Sequence, residues 1–143
     1  MTKKLKITFE RGGVVYARLL TEEAPKTVEL ICSELPCTVK MMHGRSAGAA
    51  MFYETALTDV ERENADDKNK EPGMLTLTLG APYSYHPKKA VHICYPGKIF
   101  NSNVENHFAQ IEEKYMDDIK TIGERVWLDG PEMTTLELVE TES

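Results

Sequence analysis

The sequence predicts an α+β fold in which strands dominate and two main helices complete the architecture. Two observations carry this. Several short segments alternate apolar and polar residues with period two, as half-buried strands do. Two other segments place their apolar residues three and four apart, as helices with one buried face do.

The first alternating run is Lys4-Leu5-Lys6-Ile7-Thr8-Phe9-Glu10, with Leu5, Ile7 and Phe9 on one face. Arg11-Gly12-Gly13 supplies a turn and Val14 to Leu20 reads as the returning strand of a hairpin. Ala24, Val28, Ile31 and Leu35 then form a helical stripe. Pro25 suits the first helical turn, where its missing N–H costs nothing. Pro36 ends the helix by disfavouring helical angles at the residue before it.

Cys37 to Met42 and Ala50 to Thr55 read as strands around His43-Gly44-Arg45-Ser46-Ala47-Gly48, and Val60 to Glu71 as a solvated loop. Met74 to Leu79 alternates again, and Val91 to Tyr95 is a short strand. The second helix is expected over about residues 103–122. Ser102 to Glu105 resembles a capping box, and Val104, Phe108, Ile111, Tyr115, Ile119 and Ile122 continue the stripe. Gly123 is a candidate C-terminal cap. Thr134 to Glu140 is expected to pair with the N-terminal hairpin, since a bare terminal strand exposes an unpaired ladder.

The 143 residues suit one domain spanning 1–143. No apolar run approaches the ~20 residues of a membrane span, and the N-terminus lacks a signal-peptide core; a cytoplasmic protein without membrane contact is expected. The net charge of −6 and scattered basic residues speak against nucleic-acid binding. Cys32, Cys37 and Cys94 are odd in number and lack a C-x-x-C pair, so reduced thiols are expected.

The short motifs Ala17-Arg18-Leu19-Leu20, Ala24-Pro25-Lys26-Thr27, His43-x-Arg45-x-x-Gly48, Glu63-Asn64, Pro72-Gly73 and Asn106-His107-Phe108-Ala109-x-Ile111 run collinearly along nearly the whole chain. In this the sequence resembles a bacterial and archaeal family of cyclophilin-like proteins known only as a domain of unknown function. The resemblance implies a cyclophilin-like closed β-barrel with the two helices at its ends. It implies no activity. The chain shows no counterpart of the Asn-Gly-Ser-Gln-Phe-Phe segment that builds the groove of a prolyl isomerase.

The resemblance makes Arg45 the leading candidate for chemistry, and its guanidinium offers a rigid fork of donors to a carboxylate or an amide carbonyl. His43, two residues earlier on a strand, would share its side and could shuttle a proton. Ser46 stands in a turn whose backbone N–H groups could meet an anion. Asn106 and His107 are expected near the start of the second helix, facing the same pocket. The histidines have no H-x-x-x-H spacing, so neither a metal site nor a cofactor is expected.

Three functions follow as expectations. The first is a module binding a small polar, carboxylate- or amide-bearing molecule, anchored by Arg45. The second is an enzyme on an amide or imide bond, either prolyl isomerase-like or a cyclic-amide hydrolase or isomerase. The third is a structural oligomer. Tyr83, Tyr85 and Tyr95 could line a pocket mouth or pack between subunits; a homodimer is expected from these and Met41, Met42 and Met51, which exceed what one core readily holds.

Overall fold

In the computed structural model, residues 2–66, 70–101 and 103–141 are described. They form the strands β1 (Thr2–Phe9), β2 (Val14–Leu19), β3 (Cys37–His43), β4 (Gly48–Thr55), β5 (Ala65–Asp66), β6 (Met74–Thr78), β7 (Lys89–Ile99), β8 (Glu105–Ile111) and β9 (Glu132–Thr141), with helices α1 (Pro25–Cys32) and α2 (Met116–Asp129).

The strands run in the order β2-β1-β9-β3-β4-β7-β6-β8, and β8 returns to β2. Ala17 opposite Ile111 and Leu19 opposite Ala109 make that closing seam. Every pairing is antiparallel, and the two-residue β5 hangs on β8 outside the ring. The barrel is therefore closed, with no free edge among its eight principal strands. The last strand pairs with the first along its whole length, from Thr2 opposite Thr141 to Phe9 opposite Thr134.

Alternation fills the interior. Leu5, Ile7 and Phe9, Val15 and Ala17, Leu75 and Leu77, Val91 and Ile93, and Leu136 are all buried in one core. Met41, Met51 and Tyr95 belong to it as well. They are thus absorbed by the barrel and give no argument for a dimer. Tyr83 and Tyr85 are exposed, and further exposed apolar surface lies at Phe100, Trp127 and Leu128.

The second helix is shorter than its sequence stripe. It starts at Met116, and the residues expected as its first half form β8. Glu105 is thus a strand residue and caps nothing, while Ser102 lies outside the described residues. The C-terminal end also moves: Gly123 is buried within α2, and the helix stops at Gly130. There the backbone takes φ +92°, a conformation that favours glycine.

The helices close opposite ends. α2 buries Ile119, Ile122 and Val126 at the end marked by the β1–β2 turn. There Arg125 grips the buried Glu132 at 2.8 and 3.0 Å and donates to the Gly12 carbonyl. α1 sits at the other end, held through a carboxylate remote in sequence. Glu63 accepts the Lys26 N–H at 3.2 Å, the Thr27 N–H at 2.8 Å and the Thr27 hydroxyl at 2.7 Å. Part of the expected solvated loop therefore serves as the N-terminal cap of α1. No helix among the described residues is long and apolar enough to cross a membrane.

Candidate functional site

A 3₁₀ turn at Arg45–Ala47 joins β3 to β4 and stands between two cavities. His43 and Arg45 line one of them; Ser46 lines the other.

The His43–Arg45 cavity, about 700 Å³, lies between α2 and the barrel rim. Three segments build it. The end of β3 presents His43 and the turn presents Arg45. β7 contributes Tyr95 and Lys98. Lys120, Glu124 and Trp127 recur at helical spacing along the flank of α2, beside its buried stripe. Gly48 lets β4 and β7 approach here: its φ is +81°, and a Cβ would collide with the Lys98 carbonyl.

His43 is the centre of the arrangement. Its Nε2 is hydrogen-bonded to the Tyr95 hydroxyl at 2.5 Å. Its ring stacks on Trp127 with centroids 5.8 Å apart and planes at 26°. Its Nδ1 is buried and has no hydrogen-bond partner among the described residues. Burial, and then the charge of Arg45, hold the imidazole below its ordinary value, so it is neutral at pH 7. Burial likewise pushes the Tyr95 phenol up.

Arg45 is exposed and gives one long hydrogen bond, 3.4 Å, to the Trp127 carbonyl. No ion pair holds it among the described residues. Lys98 and Lys120 line the same cavity, and Glu124 is the one acidic lining residue, 4.0 Å from Lys120. The result is a pocket with a cationic mouth and an aromatic wall.

The other three candidates are placed apart. Ser46 is exposed in the turn and faces the second cavity. Asn106 and His107 line neither cavity. Both belong to β8, not to a helix N-terminus, which removes the anion-binding dipole expected of them. Asn106 is fully buried and its amide is consumed by structure: Nδ2 donates to the Thr27 hydroxyl at 3.0 Å and the Glu61 carbonyl at 2.8 Å, and Oδ1 accepts the Glu63 N–H at 2.8 Å. His107 is half-buried, and burial holds it below the usual imidazole value.

Lys98, Lys120, Glu124 and Trp127 were absent from the sequence-derived site, and Tyr95 entered it only as one of three tyrosines that could line a pocket mouth. One signal pointed to the α2 group: Val126 continues the apolar stripe past Gly123, which carries the helix on to Trp127. The three cysteines are free, and burial pushes the Cys94 thiol up to about 12, away from nucleophilic chemistry. No group of three or more His, Cys, Asp or Glu that could hold a metal ion occurs among the described residues.

This closed antiparallel barrel with a helix at each end recurs in solved structures. One, described as the structure of McbB in complex with tryptophan, superposes with a TM-score of 0.72 at 16% identity, over 93% of this chain and 44% of that one. The chain thus spans less than half the length of that protein. A second, the solution structure of the hypothetical protein AF2241 from Archaeoglobus fulgidus, gives a TM-score of 0.62 at 19% identity, covering 95% and 94% of the two chains. At these identities the likeness is one of fold. No curated protein matches the chain. Residues 7–138 match the family described as Protein of unknown function (DUF3830), and the chain belongs to that family.

Proposed function

We propose that the protein binds a small carboxylate-bearing molecule with a planar group in the cavity between α2 and the barrel rim, with Arg45 as its anchor. The observation that carries this reading is the company Arg45 keeps. Three cations and one acidic residue line a concave site whose wall is His43, Tyr95 and Trp127. A guanidinium with a single long hydrogen bond keeps its fork available for a carboxylate. The stacked His43 and Trp127 offer a flat face, and His43 Nδ1 offers one polar contact for orientation.

The tryptophan named for one structural neighbour has both features, a carboxylate and a planar ring, and is a natural first probe. A thermal-shift screen of tryptophan, indole-3-acetate and their uncharged amides tests the reading, because a ligand that binds only the native state raises the melting temperature. Carboxylates that stabilise where the matching amides do not support it. Equal response to both overturns it.

A second reading is favoured by the neutral His43 paired with Tyr95 beside Arg45: an enzyme acting on an amide or imide bond, on a barrel we read as cyclophilin-like. Its test is a protease-coupled proline-peptide assay, in which turnover that vanishes in Arg45→Ala establishes it. A homodimer through exposed Trp127 and Leu128 is a further proposal, decided by sedimentation at tens of micromolar protein.

A further inference from the structure

The second cavity, of about 600 Å³, lies on the outer face of the barrel wall. Strand alternation puts it there. Val91 and Ile93 of β7 point into the core, so His92 points out; Leu75 and Leu77 of β6 do the same for Thr76. Glu105 of β8 sits in register with Thr78, on that outer face. An outward-facing acidic residue normally ends in solvent. Glu105 does not: its side chain has 0% exposure.

Its two oxygens are treated differently. Oε1 accepts the Thr76 hydroxyl at 2.9 Å and the Asn101 amide at 3.0 Å. Oε2 is buried and has no hydrogen-bond partner among the described residues. His92 Nδ1, also buried and without a partner, lies 3.5 Å from it but outside hydrogen-bonding geometry. Burial lowers the imidazole despite the opposing pull of Glu105, and the charge of Lys70 lowers it further. The neutral ring can therefore carry its proton on Nε2 and offer Nδ1 as an acceptor.

With its proton on Nε2, His92 sets two buried acceptors 3.5 Å apart, which is costly unless a donor lies between them. Their spacing suits one N–H shared in a three-centre bond. The charge balance decides what carries that N–H. Lys70 is buried close by, and Lys88 pairs with Glu54 at 3.9 Å at the cavity wall. The Lys70 charge already acts on His92, and a second full positive charge beside that ring gains little. Met42, Phe52 and Phe100 supply apolar wall for the rest of a ligand.

We propose that this outer-wall cavity is a second binding site, independent of the Arg45 pocket, for a neutral amide whose N–H is shared between Glu105 Oε2 and His92 Nδ1. The amide body lies against Met42, Phe52 and Phe100.

Four probes built on one phenyl ring separate the chemistry: benzamide, N,N-dimethylbenzamide, benzoate and benzylamine. Each is titrated into the full chain while the His92 ring resonances are followed by NMR. Benzamide is expected to shift His92 to saturation and to bind about tenfold more tightly than the other three. Glu105→Gln, which replaces the free acceptor by a donor, is expected to abolish the shift. Ala90→Met, which fills the cavity and leaves Glu105 in place, is expected to do the same and guards against misfolding of the first variant. Equal binding of N,N-dimethylbenzamide, tighter binding of benzylamine or benzoate, or no shift of His92 with benzamide in the wild-type protein overturns the proposal.

Discussion

His43 Nε2 and the Tyr95 hydroxyl meet at 2.5 Å, and this contact fixes the imidazole between the barrel rim and Trp127. Tyr95 is core at its ring and site at its hydroxyl. Removing only the hydroxyl leaves the packing intact and both His43 nitrogens without a protein partner. Tyr95→Phe is expected to lower stability by about 1–3 kcal/mol, the cost of an unsatisfied buried polar group. Urea denaturation checks this; an unchanged midpoint would show that the contact contributes nothing.

Gly123 is where α2 meets Tyr95. A Cβ at this position would collide with the Tyr95 ring. In an open helix, alanine would gain about 1 kcal/mol over glycine. Here overpacking costs about 1–3 kcal/mol, and the collision is with a buried ring rather than a flexible tip. Gly123→Ala is therefore expected to be destabilising and to displace α2 from the cavity wall. A raised melting temperature would contradict that packing.

Asn106 separates a structural role from a ligand-binding one. Its three hydrogen bonds lock α1, the Glu61–Glu63 segment and β8 together at the end of the barrel away from Arg45. Asn106→Ala is expected to cost at least about 1–3 kcal/mol while leaving affinity in the Arg45 cavity unchanged. Equal loss of affinity and stability, measured by calorimetry and denaturation on the same variant, would return Asn106 to the site.

Acid should unfold the protein in two stages. His43, His92 and His107 all sit below the usual imidazole value, chiefly through burial. The unfolded chain then takes up protons before the native one, so stability present above about pH 6.5 is lost as pH falls through that region. Burial would raise Glu63 and Glu132, but hydrogen bonds from Thr27 and Lys26, and from Arg125 and Arg11, outweigh it and hold both below the ordinary carboxylate value. Their contribution is present above about pH 4.3 and is lost below it. Denaturation midpoints from about pH 8 to about pH 2.5 should fall in these two windows. A flat profile between about pH 7 and pH 5 would contradict the histidine burial.

Much of the barrel is legible in the sequence because its strands have one wet face. Leu5, Ile7 and Phe9 alternate with Lys4, Lys6 and Thr8, and their burial follows that pattern. β8 has no such wet face. Glu105 and Asn106 are both buried, as are Phe108 and Ala109, because loops and the α1 lock cover its outer side. Its period of two is hidden, and Val104, Phe108 and Ile111 fall by coincidence at helical spacing. The ladder itself shifts register between Leu75 and Thr76, opposite β8, which blurs the pattern further. His43 and Arg45 stand out in the sequence through the resemblance at His43-x-Arg45-x-x-Gly48. Trp127 does not, and nothing in the sequence joins Tyr95 to His43, since only packing of α2 against β7 brings the three together.

The measurement closest to the central claim is calorimetric titration of a carboxylate identified in the screen into the wild-type protein, Arg45→Ala and Arg45→Lys. Arg45 is exposed and its one hydrogen bond is long, so all three proteins should fold alike. Loss of a charge-assisted contact of about 1.5–3 kcal/mol predicts affinity weakened by about tenfold or more in Arg45→Ala. Arg45→Lys keeps the charge but loses the planar fork, and should fall between the two. Affinity unchanged in Arg45→Ala would contradict Arg45 as the anchor.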